Sequence, residues 1–175
     1  MPVPPIETIL TATGVGSARF GEVYEGSTER MESELGQVTA AVSNSYVPDG
    51  DSYIRVEGPP ERFDYPSGRS VCFHASLCAY FGGRTDQDLT FVGYRQYTPG
   101  PFGTESGVQV GSMLSDHPDD FQLREDPCAA ITGTIDGIEL KANAQPNESS
   151  PNATTALIVA LAAGSVPDDV TCPMG

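Results

Sequence analysis

Positive charge is scarce in this chain. Nine of its 175 residues are Lys or Arg, with Lys141 the single lysine, against 24 Asp and Glu, which gives a net charge of −15. Nucleic acids and anionic bilayer surfaces are bound mostly through Lys and Arg, so we expect neither as a partner. An acidic surface of this kind favours solubility and attracts basic partners at long range.

Long hydrophobic runs are also missing. The longest apolar run, Ala156–Ala163, has eight residues, whereas a helix that spans a bilayer needs about 20. We therefore expect no transmembrane segment, and the run fits a buried strand. The 19 glycines and 15 prolines predict many turns and short strands rather than a helical bundle.

The four cysteines lack the Cys-x-x-Cys spacing that is typical of structural zinc sites. An even number of cysteines predicts two disulfides formed in an oxidising compartment. The short spacing of Cys72 and Cys78 suits a bridge across a small hairpin, and elimination leaves Cys128 to pair with Cys172. We therefore predict a secreted or extracytoplasmic protein. Residues 1–5 show neither the basic start nor the apolar stretch of a leader peptide, so this prediction rests on the cysteines.

A hairpin at residues 131–142 is the clearest local prediction. Asp136-Gly137 favours a two-residue type I′ turn, in which both central residues need positive φ. Pairing Ile135 with Ile138 then puts Ile131 opposite Ala142. All the apolar side chains of the hairpin share one face in this register, as in an antiparallel sheet that is wet on the other face.

The other elements are less strongly patterned. A helix is predicted at 27–35, capped by Ser27 or Thr28 and ended by Gly36, and residues 43–69 are predicted to be a loop with a short strand at 53–56. Further strands are predicted within 6–13 and at 70–75, 77–81, 89–97 and 154–164.

A faint internal repeat suggests the architecture. The glycine-rich stretch 14–21 is echoed by 107–111, and each is followed by a helix-like segment (27–35 and about 112–121) and then by strands. We therefore predict an α+β fold in which two similar helix-plus-antiparallel-strand units form a shared sheet with helices on one face. Residues 1–5 would be an extended N-terminal arm. Residues 6–175 would be a single domain of two repeat units, about 6–98 and 104–175, joined by a linker rich in Pro and Gly.

Several short motifs resemble those of a group of exported actinobacterial proteins of unknown function. The motifs are Gly14-Val-Gly-Ser-Ala-Arg-Phe-Gly21, Leu35-Gly36, Phe91-Val-Gly-Tyr94, Gly107-Val-Gln-Val-Gly111 and Asp126-Pro-Cys128. The repeated helix-then-strands plan resembles, more loosely, the β-lactamase-inhibitor-protein fold, although the Gly-Met-Thr turn of that fold is missing. Its members bind other proteins, so this resemblance implies a binding role.

No motif points to catalysis, and we assign no catalytic residue. The glycines at 14, 16 and 21 miss the dinucleotide-binding fingerprint by two positions, so no cofactor is expected. His74 is expected to be exposed in the Cys72–Cys78 turn. His117 has carboxylates nearby, but nothing fixes a coordination geometry, and no metal is expected.

A binding function is the preferred hypothesis. Arg19 lies in an otherwise apolar turn, where it can pair with a carboxylate or contact a ligand, and Tyr94 and Tyr97 are candidates for an exposed recognition face. We therefore predict an exported, non-enzymatic module that binds a protein or cell-envelope component. The alternative is an extracytoplasmic hydrolase whose Asp, Glu or His residues come from distant segments.

Overall fold

The computed structural model describes residues 3–74, 77–117, 122–125, 131–143 and 156–169, with the backbone alone for 122–125 and 169. Of the described residues, 53% are in strands and 11% are helical, and they hold a single α-helix. The prediction of an α+β fold with helices on one face is therefore wrong, and the chain is mostly β. The strands are β1 (Thr8–Thr11), β2 (Gly14–Val15), β3 (Ala18–Arg19), β4 (Val38–Asp49), β5 (Ser52–Arg55), β6 (Glu61–Phe63), β7 (Ser67–Phe73), β8 (Leu77–Gly83), β9 (Thr90–Gln96), β10 (Phe102–Thr104), β11 (Gln122–Glu125), β12 (Ile131–Ile135), β13 (Ile138–Asn143), β14 (Leu157–Gly164) and β15 (Asp168–Asp169).

The strands form two sheets. The larger has eleven strands in the order β11-β12-β13-β14-β9-β8-β7-β4-β5-β6-β15, and the smaller has four in the order β10-β1-β2-β3. All the strand pairs are antiparallel except β1 with β10, which is parallel. Residues that were predicted to be a linker thus pair with the first strand, and the carbonyl of Pro101 accepts bonds from the Glu7 and Thr8 amides at 2.9 and 3.0 Å. The division into repeat units 6–98 and 104–175 stays a prediction.

The helix α1 spans Tyr24–Leu35 and ends, as predicted, at Gly36, whose φ is 86°. Its N-cap residue is Val23, so the predicted cap at Ser27 or Thr28 is wrong. Ser27 is instead buried inside the helix, where its hydroxyl donates to the Val23 carbonyl at 2.8 Å. A helical serine bonded in this way stabilises no helix start. Within the described residues, no helix has the length and apolar character needed to cross a membrane.

The second predicted helix, at 112–121, is wrong in its described part, where a 3₁₀ turn at Leu114–Asp116 stands. Residues 118–121 lie outside the described chain. Gly111, with φ of 92°, and Leu114 donate their amides to the carbonyls of Ile158 and Ala156 at 2.8 and 2.9 Å. The backbone amides that a helix would use are therefore bonded to Ala156, just before β14, and to Ile158, within it.

The short strand predicted at 53–56 is present as β5, one residue earlier. The rest of the predicted loop at 43–69 is wrong, because it holds most of the 12-residue strand β4, all of β6 and the start of β7. β4 pairs with β7 through Val38–Ser45 and with β5 through Tyr46–Asp49. The Tyr46 amide donates toward β7, to the Pro66 carbonyl at 2.9 Å. The backbone nitrogen of Pro48, two residues further on, also faces β7. Its missing N–H therefore removes no hydrogen bond between β4 and β5.

Two core clusters lie on opposite faces of the large sheet. The larger contains Phe73, Phe81 and Phe91 and is covered by α1 and the small sheet. The smaller contains Tyr46, Phe63 and Tyr80 and is covered by the β5–β6 ribbon. The ribbon can lie flat because Gly68 and Gly82 are opposite each other in β7 and β8, and a Cβ on either would come within 3 Å of the Phe63 or Tyr65 ring.

The hairpin, the last strand and one disulfide are confirmed. Ile135 pairs with Ile138 and Ile131 with Ala142, and Asp136 and Gly137 have φ of 52° and 76°. The long apolar run forms β14. Cys72 and Cys78 are bonded and lie directly opposite each other in β7 and β8, whereas Cys128 and Cys172 lie outside the described residues.

Replacing Gly137, the turn glycine of the hairpin, tests how closely the turn packs against Ala12. A Cβ on Gly137 would lie 2.8 Å from the Cβ of Ala12, whereas Gly50, with φ of 65°, has nothing within 4 Å. We expect Gly137→Ala to lower the free energy of unfolding by about 2–3 kcal/mol, and Gly50→Ala, which adds backbone strain alone, by about 1 kcal/mol. Denaturant unfolding measures both, and equal losses would contradict the contact with Ala12.

Candidate functional site

A concave surface lies where β4, β7 and the turn between β8 and β9 meet. A cavity of about 430 Å³ is lined there by the hydroxyls of Ser43, Ser45, Ser67 and Thr85, among others, and by Arg69, Arg84 and Asp86. We call this cavity the arginine groove. It adjoins a cavity of about 630 Å³ beside the start of α1, which shares Arg69 and Asp86, and one of about 270 Å³ beside the end of β5, which shares Ser43 and Ser45.

Arg69 is held in place from two directions. It stands opposite Ser43 in the β4–β7 ladder, and its Nε donates to the Ser43 hydroxyl at 2.9 Å. Its guanidinium carbon lies 4.6 Å from the centre of the Tyr24 ring, at the start of α1. This stacking orients the planar group and leaves its two terminal nitrogens available as a fork of donors.

Asp88 shapes the turn that carries Arg84. Its Oδ1 accepts bonds from the backbone amide of Thr85 at 2.8 Å and from the Thr85 hydroxyl at 3.2 Å. The hydrogen bond from the Thr85 amide in particular lowers the pKa of Asp88 below its usual value, because a hydrogen bond donated to a carboxylate favours its charged form. Arg84 and Asp86 lie on the exposed outer side of this turn.

The two groove arginines differ from others in the described part of the chain. Four arginines there pair with carboxylates, namely Arg30, Arg55, Arg62 and Arg95. Arg69 and Arg84 have no carboxylate within 4.0 Å among the described residues, although the chain carries 24 acidic side chains. The residues that line the groove include these two arginines and one carboxylate, Asp86. An arginine fork ringed by hydroxyls suits a carboxylate or a phosphate on a hydroxyl-rich molecule.

Arg19 bonds to the backbone of its own turn. Its Nη1 donates to the carbonyls of Gly16 and Ala18 at 2.6 and 3.1 Å. The carboxylate nearest in the chain, Glu22, accepts from the Arg19 amide at 3.1 Å and pairs with the side chain of Arg30. Arg19 therefore stabilises the β2–β3 turn, and no ion pair of its side chain ties the helix to the sheet in the described structure.

Tyr94 lies in the core. Its side chain is 0% exposed, and its hydroxyl donates to the Thr11 carbonyl at 2.8 Å, which ties β9 to the small sheet. A partner at the surface cannot reach this side chain. Tyr97, by contrast, is 49% exposed, and its hydroxyl accepts a bond from Arg95 at 2.6 Å.

The structure does not bring the three predicted binding residues together. Within the described residues no hydrogen bond, ion pair or ring contact joins Arg19, Tyr94 and Tyr97. The described residues also contain no group of three or more His, Cys, Asp or Glu that could hold a metal ion.

Sequence reasoning missed the arginine groove because it assigned residues 43–69 to a loop. One signal was present. Arg69, Val71 and Phe73 alternate along the chain, and the last two are buried in the larger core cluster. Extending the predicted strand by this alternation would have placed Arg69 at the rim of an apolar face. Nothing in the sequence indicates that Arg84 meets it there.

No protein-family model, curated protein or solved structure matches the chain. The resemblance to exported actinobacterial proteins and to the β-lactamase-inhibitor-protein fold therefore stays a prediction.

The core position of Tyr94 predicts a loss of stability at alkaline pH. Burial raises the pKa of Tyr94 above its usual value of 10.0. The unfolded chain then loses this proton at a lower pH than the folded one, so the free energy of unfolding falls as pH rises above about 10. Tyr94→Phe removes this effect at a cost of about 1 kcal/mol at neutral pH, from the lost hydrogen bond.

The stability advantage of the wild type over Tyr94→Phe should therefore fall by about 1.4 kcal/mol between neutral pH and about pH 11, so that the wild type becomes the less stable of the two. Denaturant unfolding between neutral pH and about pH 11 measures it. Parallel pH profiles for the two proteins would contradict the burial of this phenol.

Proposed function

We propose that the chain is an exported, non-enzymatic binding module that recognises an anionic, hydroxyl-rich component of the cell envelope through the arginine groove. The observation that carries the proposal is the pair of groove arginines without a carboxylate partner in a chain of net charge −15. A cation left unpaired among so many carboxylates is available for a negative group of another molecule. The Cys72–Cys78 disulfide supports a secreted or extracytoplasmic location, because such bonds persist in oxidising compartments.

The geometry of the groove favours a glycan over a flat protein surface. The groove is concave, and hydroxyls from three segments of the chain line it beside the arginines. Serine and threonine hydroxyls both donate and accept hydrogen bonds, so they can match the hydroxyls of a sugar. Arg69 and Arg84 would then bind its carboxylate or phosphate groups.

Asp88 does not supply the general acid that the hydrolase alternative needs. A general acid at neutral pH needs a raised pKa, and the pKa of Asp88 is lowered by its bond from the Thr85 amide. Its Oδ1 is also occupied by the turn. Asp88 is therefore suited to holding the β8–β9 turn rather than to transferring a proton.

Calorimetric titration of the full chain with a galacturonic acid oligomer, a neutral glucose oligomer of equal length and a glutamate oligomer tests the proposal. Arg84→Gln removes a charge from an exposed side chain, so stability should change by less than about 0.5 kcal/mol. We expect it to weaken binding of the acidic sugar by about tenfold or more, since a charge-assisted hydrogen bond contributes about 1.5–3 kcal/mol. Arg69→Gln should have a similar effect.

Arg62→Gln is the matched control. It removes the same charge from an exposed arginine of β6, which pairs with Asp49 outside the groove, and should change the affinity less than about twofold. Equal weakening by Arg62→Gln and Arg84→Gln, or equally tight binding of the neutral sugar, would contradict the proposed site. Tighter binding of the glutamate oligomer would point to an acidic protein as the partner.

A further inference from the structure

The first half of β4 has an open edge. Val38–Ser45 pairs with β7 along one edge. Along the other, no strand of the described chain pairs with it before Ser45, whose carbonyl accepts a bond from the Val56 amide at 3.1 Å. The five consecutive residues 39–43 are exposed. An open edge of this kind presents unpaired backbone donors and acceptors to another strand.

The disulfide shows which residues present those groups. Cys72 and Cys78 are directly opposite, with their Cα atoms 3.9 Å apart, which is the close spacing of a non-hydrogen-bonded pair. Cys72 therefore directs its backbone groups away from β8 and toward its β4 partner, Ala40. The backbone N–H and C=O groups of successive residues alternate in direction along β4. Those of Ala40 and Val42 therefore bond to β7, whereas those of Ala41 and Ser43 point outward.

Two backbone hydrogen bonds agree with this alternation. The amide of Tyr46, an even-numbered position, donates toward β7, to Pro66. The carbonyl of Ser45, an odd-numbered position, accepts on the outer side, from Val56. The outward amides and carbonyls of Ala41 and Ser43 therefore bond to no strand of the described chain and can pair with a further strand.

This edge lacks the usual protection against pairing. Natural sheet edges carry charges or prolines, or are covered, but the run from Gly36 to Asn44 contains neither a charge nor a proline. Val42, at the middle of the open stretch, is 50% exposed. The one irregularity of the β4–β7 pairing is a bulge between Val38 and Ala40. It lies at the start of the open stretch, and the register is regular from Ala40 to Ser45.

We propose that the chain forms a two-fold dimer through antiparallel pairing of the open β4 edges of two copies. Two chains of net charge −15 repel each other, and an uncharged edge is where they can meet without opposing carboxylates. Antiparallel pairing of one edge with itself is self-complementary, as two-fold symmetry requires.

A second copy fits this edge better than a foreign peptide does. Added strands are selected by pockets for their alternate side chains. Two of the three cavities at the candidate site reach Ser43, and none of the three reaches residues 39–42, where the side chains are small. The dimer does not depend on the arginine groove or on its ligand.

Analytical ultracentrifugation of the full chain tests the dimer. A single strand pair buries less than the roughly 1,200–2,000 Å² of a stable interface, so protein concentrations from about 10 µM to about 1 mM are needed. We expect the dimer fraction to rise over this range. Raising the salt from about 0.02 M to about 0.5 M should tighten the dimer by about tenfold, because salt screens the repulsion between the two copies.

Val42→Glu and Val47→Glu form a matched pair of variants. Both valines lie on β4 and are similarly exposed, at 50% and 45%, but Val47 is already paired with Ile54 of β5. Val42→Glu should weaken the dimer by about tenfold or more, since it brings like charges together across the new ladder, and Val47→Glu by about twofold at most. Ala41→Pro, which removes an outward amide that β7 does not use, should also give a monomer.

A thermal melt of each variant shows whether it folds. A wild-type monomer at every concentration and both salt levels would overturn the proposal. Equal weakening by Val42→Glu and Val47→Glu would overturn it too, because the contact would then lie outside the open stretch.

Discussion

A pair of glycines facing each other across β7 and β8 determines the course of β4. Gly68 and Gly82 leave a flat patch on the sheet, and the rings of Phe63 and Tyr65 lie against it at distances that a Cβ would not allow. The β5–β6 ribbon is thereby held over the second face of the sheet. β4 must follow the ribbon, so it pairs with β7 up to Ser45 and with β5 from Tyr46 onward.

This change of partner creates both surfaces to which we assign a function. On one side, the serines of β4 at positions 43 and 45 remain beside β7 and line the arginine groove with Arg69. Along its other edge, β4 pairs with no strand of the described chain before Ser45. The groove is polar and carries two arginines, whereas the open edge is uncharged, so the two surfaces favour different partners in a chain that is strongly acidic.

The sequence was informative where a feature depends on neighbouring residues. The Asp136-Gly137 turn, its register and the Cys72–Cys78 bridge follow from local geometry, and all three are present. The sequence was misleading where the secondary structure depends on contacts between residues that are distant in the chain. Gly111 and Leu114 bond to the start of β14 and the residue before it rather than forming a helix. Ser43 lies in a long strand because its backbone pairs with β7. The arginine groove joins residues as far apart as 43 and 84, and no local pattern relates them.

Hydrogen exchange along β4 is the most direct test of this account. In a dilute sample, where the dimer dissociates, the amides of Ala40 and Val42 should be protected by β7, while those of Ala41 and Ser43 should exchange rapidly with solvent. Protection that alternates with position in this way is the result expected of a strand bonded along one edge. Equal protection at all four positions in the monomer would show that the outer edge is already covered, and would contradict the change of partner at Ser45.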